Sequence, residues 1–380
     1  MDFALREDQK MFQKLVHDFA KKEFEPVALQ LDEAEEFPMG NFKKAAQFGL
    51  TGIVIPTEYG GSGLDYVSYA IAIEEVARAC PSTAGILSAH NSLVGDCLLH
   101  FGTEEQKQRY LVPLAKGEKI GSHALTEPNA GSDAAAIETT AVKDGDDYIL
   151  NGSKIFVTNG NVADTIVTFA TLNKELGYRG IAGFIVEKGF PGFSVGQKFL
   201  KAGMRAGTQV ELLFQDCRVP AENRLGEEGK GFRIALSTID ISRIGIAAQA
   251  VGIARAALEM SIDYAKQRQQ FGQAIAQFQG IQWMLVDMAT KVDAARLLTY
   301  RAAYLMDNKL PFTKEVAMAK LYASETAMAV TTKAVQIHGG YGYMRDSRAQ
   351  LQWRAAKLTE IYEGTSEIQR LVIARQLLRY

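Results

Sequence analysis

The sequence predicts an α+β chain in three successive parts: helices over residues 1–121, a sheet over 122–230 and a helical bundle over 231–380. Three observations predict this. Apolar residues recur at helical spacing on both sides of a central stretch. The central stretch alternates short β-branched runs with Gly-rich turns. No helical pattern of useful length separates those runs, which favours an antiparallel barrel or sandwich over a parallel sheet.

In the first part, Phe12, Leu15, Val16 and Phe19 recur at helical spacing with charges between them, and Ile71, Ile73, Val76 and Ala77 do the same. Pro56 and Gly60-Gly61-Ser62-Gly63 interrupt these helices and read as connectors. From about residue 122, Thr139–Val142, a turn at Asp144–Asp147 and then Tyr148–Leu150 read as strand, turn, strand. Further strands follow at 155–158, 165–170, 181–186 and 210–214, with turns at Asn159-Gly160 and Pro191-Gly192. Segments near 231–267, 278–307, 314–337 and 366–379 are rich in Ala, Leu, Met and Ile and predict a four-helix bundle. The alanines at 247, 248, 250, 254, 256 and 257 allow close helix approach.

Composition narrows the function. A net charge of −2 argues against nucleic acid or an anionic membrane as the main partner. Cys80, Cys97 and Cys217 are widely spaced, with no CxxC pair and no HExxH, so no disulfide framework or metal site is expected. No GxGxxG or Walker A pattern occurs. The first residues do not read as a signal peptide, and no apolar run of membrane-spanning length is expected. A cytoplasmic protein is expected, although a processed organelle protein would read the same.

Five stretches carry chemistry. Ala124 to Asp133 lies where helices give way to strands; Thr126, Ser132 and the backbone near Gly131 could hydrogen-bond a heterocycle's edge. Alone, it is an interdomain turn. Lys154 to Gly160 reads as a strand whose alternation places Phe156 and Thr158 on one face, either to cover a flat cofactor or, for Phe156, as core. Arg268 to Gly272, with Gln279, offers a guanidinium and an amide suited to pyrophosphate, or a helix end favoured by the macrodipole. Gln336 to Gly342 ends a helix in a glycine pair, a C-cap or a site of close backbone approach. Last, Glu363 precedes Gly364 and a helix start in which Ser366 and Gln369 have capping-box spacing. Glu363 reads as a carboxylate on a bend, suited to a base that must reach one atom.

Together and in this order, these stretches resemble the acyl-CoA dehydrogenase family over essentially the whole chain. The resemblance is strongest to the short-chain, butyryl-type branch, whose members share the run at residues 361–370, Ile-Tyr-Glu-Gly-Thr-Ser-Glu-Ile-Gln-Arg. The resemblance implies a helical N-terminal domain, a middle antiparallel β-barrel and a C-terminal four-helix bundle, assembled as a homotetramer. It implies FAD as cofactor, an acyl-CoA substrate oxidised to a trans-2-enoyl-CoA, and an electron-transfer flavoprotein as electron acceptor. By the same match, Glu363 is the base. His123, Ala124, Leu125, Thr126, Ser132, Phe156, Val157 and Thr158 contact the flavin half of FAD. Arg268, Phe271, Gln279, Gln336, Ile337, His338, Gly339 and Gly340 hold its ADP half, and Thr365, Ser366 and Glu367 add further contacts. Ser132, Asp240, Ile241, Ser242, Arg243 and Gly364 match substrate contacts, and 84–100 helps form the base of the acyl pocket. Some branches carry the base at the position of Ser242; a serine cannot serve there, so Glu363 has no rival.

Three positions depart from the family pattern. Phe156 stands where many relatives have Trp, Ala355 breaks an Arg-Asp-Ala-Lys run, and Met344 to Gln350 lacks the usual Tyr-Pro. An acyl-CoA oxidase using O₂ and a non-catalytic flavin- or CoA-binding protein are the competing functions.

Overall fold

The computed structural model describes residues 4–378. The helices α1 (Glu7–Glu23), α2 (Ala28–Ala34), α3 (Met39–Gln47), α4 (Tyr66–Ala79) and α5 (Pro81–Ser88) come first. A π-helical segment, Ala89–Gly95, leads into α6 (Asp96–Phe101); α7 (Glu104–Gln106) and α8 (Val112–Ala115) follow. Asp65 caps α4 by accepting the Ser68 N–H at 2.7 Å, and nearly every side chain of α4 is buried. A helix buried on nearly all sides belongs in a core.

The middle part holds β1 (Gly121–Ala124), β2 (Thr140–Asp144), β3 (Asp147–Thr158), β4 (Thr165–Thr171), β5 (Ile181–Glu187), β6 (Phe193–Lys198), β7 (Gln209–Pro220) and β8 (Arg224–Leu225). They form one sheet in the order β6-β7-β3-β2-β4-β5-β8, with β1 also on β4. Two expectations are corrected here. The sheet is mixed: β1 arrives from the N-terminal helices and runs parallel to β4 over Gly121–Ala124. It is also an open path rather than a closed barrel, because among the described residues no pairing joins β6 to β8.

The last part holds α9 (Gly231–Gln267), a short hairpin β9 (Gln269–Gln270) and β10 (Gln273–Ala274), then α10 (Gln279–Asp307), α11 (Thr313–His338), α12 (Arg348–Thr359) and α13 (Ser366–Leu378). The bundle therefore gains a fifth helix, α12. Its buried side includes Gln350 and Gln352, so its apolar periodicity is too weak to announce a helix. Helix α9 is long and apolar enough to cross a membrane by length and composition, contrary to expectation. Its 18-residue apolar window is, however, 78% buried within the molecule.

Helices from both ends of the chain share one core, in which Val16, Tyr69 and Val76 join Ile244, Val251, Val330 and Leu351. The sheet has its own cluster around Tyr148, Phe184 and Phe214. Close approach of α4 to α9 depends on small residues, since a Cβ on Gly252 would collide with the Glu74 carbonyl. The same contact is charged: Glu74 and Glu75 of α4 are sealed beneath Arg255 and Arg296, with Arg255 at 2.8 Å from Glu75.

Candidate functional site

Glu363 lies in a turn between α12 and α13, with φ of 54°. A left-handed glutamate is uncommon and costs energy that the surroundings must offset. Gly364 follows with φ of 93°, and a Cβ there would come within 2.7 Å of Gln369 Nε2 and 3.0 Å of Arg243 Nη2. Three elements hold this turn by its carbonyls. Arg243 Nε of α9 donates to the Glu363 oxygen at 3.1 Å. Lys320 Nζ of α11 donates to the Gly364 oxygen at 2.7 Å. Gln369 Nε2 of α13 donates to both, at 3.3 and 2.9 Å. The cap of α13 is shifted by one residue from the expected box. The Thr365 hydroxyl accepts the Ile368 N–H at 3.3 Å, the Gln369 side chain is spent on the turn, and the buried Ser366 hydroxyl has no partner.

The Glu363 side chain points inward, and its Oε2 is buried with no hydrogen-bond partner. Burial pushes this carboxyl up to about 7, while the Ser242 hydroxyl and the cations Lys320 and Arg243 pull it the other way. A carboxyl balanced near neutrality suits proton abstraction near pH 7. Its backbone N–H has no acceptor among the described residues, leaving a donor free in the same turn. Neighbouring Tyr362 donates to Gln249 of α9.

The expected substrate residues 240–243 lie on α9 beside this turn. Arg243 is buried and paired with Asp240 at 2.6 Å, and Asp240 accepts from Thr313 at 3.0 Å. Ser242 is buried and accepts from Ser92 of the π-helical segment at 2.8 Å. Ile241 is buried as well. Both segments therefore converge on Glu363, although Arg243 contacts its backbone and not its carboxylate.

The expected flavin loop is pinned to β3. Lys154, fully buried, pairs with Glu127 at 2.6 Å and donates to the Leu125 carbonyl at 3.2 Å. Ile155 N–H donates to the Thr126 carbonyl at 2.9 Å. Burial holds His123 down at about 4, hence neutral, and its buried Nε2 is unpartnered. Thr126 is half-buried, Ser132 is exposed, and Ala124 and Leu125 are buried. Phe156 is not core: a register shift in the β3–β7 ladder spans it, its φ is 55°, and it is 52% exposed. Its ring rests on Phe199 at 4.8 Å. Val157 is buried, and Thr158, half-buried, accepts from Gln209 at 3.4 Å.

A third group surrounds an open cavity of about 460 Å³ that includes Arg268, Ile337, His338, Gly339 and Gly340. His338 Nδ1 is satisfied by the Ala334 carbonyl at 2.8 Å and its ring stacks on Tyr264 at 4.4 Å, which fits a structural histidine. The Arg268 guanidinium lies over the Tyr341 ring at 5.8 Å. A Cβ at Gly339 or Gly340 would meet nothing within 4 Å, so backbone there is open to close approach. Phe271, Gln279 and Gln336 are exposed outside the cavity lining; Thr365 is half-buried and Glu367 exposed at the start of α13. An arginine, bare glycines and a roomy cavity fit a phosphate-bearing cofactor, and the unpartnered His123 nitrogen fits a polar group on the flavin loop.

Ser92 and Tyr341 lie within the stretches 84–100 and 336–342 singled out above, whereas Lys320, Gln249 and Phe199 were not foreseen. Only Lys320 had a legible signal. It is the one charge on a stripe with Val316, Ala319, Ala323 and Ala327, all buried.

Comparison with known proteins agrees with this architecture. The acyl-CoA dehydrogenase N-terminal, middle and C-terminal domain profiles match residues 6–118, 122–217 and 229–378. The chain belongs to the acyl-CoA dehydrogenase family and is an FAD-dependent oxidoreductase. It is 54% identical to the short-chain specific acyl-CoA dehydrogenase of Clostridium acetobutylicum, over all of both chains. Among solved structures it is similar to butyryl-CoA dehydrogenase from Megasphaera elsdenii, with a TM-score of 0.98 and 48% identity over all of both chains. A chain from the structure described as the electron transferring flavoprotein of Acidaminococcus fermentans matches over all of both chains, with a TM-score of 0.99 and 50% identity.

Proposed function

We propose that the protein removes two hydrogens from the α and β carbons of a short, straight-chain acyl-CoA, with Glu363 as the base. The observation that carries this is the Glu363 carboxylate, with a buried, unpartnered oxygen, on a turn braced from three helices. An α-proton of a thioester is a poor acid, and its removal needs donors at the carbonyl oxygen as charge develops there. The free N–H of Glu363 lies in the same turn and suits that task. Glu363 accepts the α-proton. Bound FAD is the acceptor for the hydride that leaves the β-carbon. Residues 123–126, 132 and 156–158 would hold the flavin, while Arg268 and 336–340 would hold the ADP half, with Thr365 to Glu367 nearby.

In this reading residues 1–121, 122–230 and 231–380 are the three domains, working in the cytoplasm or an organelle matrix, and the protein is a homotetramer. Phe271 at 93% and Tyr341 at 67% exposure support a subunit contact beside the cavity. Electrons pass to an electron-transfer flavoprotein, supported by the similarity to a chain of such a structure. The test is anaerobic mixing with straight acyl-CoAs from butyryl to dodecanoyl. The flavin should bleach, with kcat/KM greatest at about C4 to C6, since each methylene is worth about 1 kcal/mol or more in an apolar pocket. A peak at decanoyl or longer would refute the short-chain assignment. Fast reoxidation by air would point instead to an oxidase.

A further inference from the structure

Lys320 is wholly buried on α11. Among the described residues no carboxylate lies within ion-pair distance of its ammonium; its partner is the Gly364 carbonyl at 2.7 Å. A buried cation without an ion pair is destabilising compared with an apolar residue of the same size. Folding alone therefore does not account for a lysine here, and among the described residues its one hydrogen bond is to the turn that carries Glu363.

We propose that Lys320 is a positioning residue for the base: its ammonium anchors the Gly364 carbonyl, and its charge keeps the Glu363 carboxylate ionised. This rests on the reading of Glu363 as the base. Two features support it. Arg243, Lys320 and Gln369 together occupy the two carbonyls of the turn, which aims the left-handed Glu363 side chain inward without tying up Oε2. Of the two cations that act on Glu363, Arg243 is already partly neutralised by Asp240 at 2.6 Å, whereas Lys320 is not paired.

The groups that act on Glu363 are Ser242 and Arg243 from α9, the latter paired with Asp240, Lys320 from α11, Tyr69 from α4 and Tyr362 from its own turn. Those facing Lys320 are Glu363, Arg243, Glu360 and Glu367. Burial lowers Lys320 only to about 8, so it carries its charge at pH 7.

The test compares Lys320→Met and Lys320→Gln with the wild type, each as purified flavoprotein. The reading is kcat/KM for flavin reduction by butyryl-CoA across pH. Removing a neighbouring cation raises a carboxyl by about 1–2 pH units. The base is then ionised only at higher pH. For both variants the rate should fall roughly five- to fifty-fold at pH 7 and recover toward wild type as pH rises. Lys320→Gln keeps a donor for the Gly364 carbonyl, so it should recover more completely at high pH while showing the same displaced profile. Should Lys320→Met fail to accumulate as flavoprotein, Lys320→Gln carries the same reading. An unmoved pH profile, or a loss equal at every pH, would overturn the electrostatic role. Glu363→Gln run beside them separates the two ideas. If it abolishes reduction while the Lys320 profiles stay put, only this inference falls. If it reduces flavin normally, the base assignment falls with it.

Discussion

Replacing Glu363 with Gln keeps the size of the side chain and removes its basic carboxylate. The turn should survive, because Arg243, Lys320 and Gln369 bind carbonyls and not the side chain. The residues proposed to hold the cofactor, at 123–132, 156–158 and 268 with 336–340, would not use that charge. Only proton removal is lost, so flavin reduction by butyryl-CoA should slow by ~10²–10⁴-fold, about 3–5 kcal/mol of barrier. The assay is anaerobic stopped-flow on the flavin band: substrate should perturb the band without bleaching it. Bleaching at a near wild-type rate would refute the assignment. The same substitution has a stability consequence of known sign. The folded-state carboxyl is raised from 4.5 to about 7, so the folded protein holds a proton that the unfolded chain has released across that window. Wild-type stability therefore falls as pH rises from about 4.5 to 7, by up to about 3 kcal/mol. Glu363→Gln should melt higher than wild type above pH 7 and match it near pH 4. A variant that melts lower at pH 8 would contradict the burial cost.

Two further predictions follow from the turn and the cavity. Gly364→Ala places a Cβ against the ends of the Gln369 and Arg243 side chains at a φ of 93°, so it should lower the melting temperature and cut flavin reduction, since the backbone strain is ~1–3 kcal/mol and the two donors that brace the turn are pushed aside; an unchanged rate would show that the turn tolerates movement. Arg268→Ala should weaken FAD retention and subunit assembly together; flavin content and sedimentation check this, and a fully loaded tetramer would contradict it.

The sequence alone determined the order of helices, strands and helices, because long amphipathic and alternating segments write their period into the chain. It also singled out Glu363 as the proposed base, since the 361–370 run places a carboxylate before a glycine and a helix start. Tertiary structure decided the rest. The fifth helix stayed hidden because its inner face is partly polar, with Gln350 and Gln352, bonded to backbone carbonyls, set among Leu351, Ala355 and Ala356. The parallel pairing of β1 and the open path of the sheet depend on strands far apart in sequence meeting, which no local pattern encodes. Between the two readings of Phe156, core or exposed ring, the register shift in the β3–β7 ladder decided for the exposed one. Lys320 became a neighbour of Glu363 only when α11 packed beneath α13. The tuning of the carboxyl is likewise tertiary: Ser242 and Arg243 act on it from α9 and Lys320 from α11, and desolvation exists only once the chain is packed.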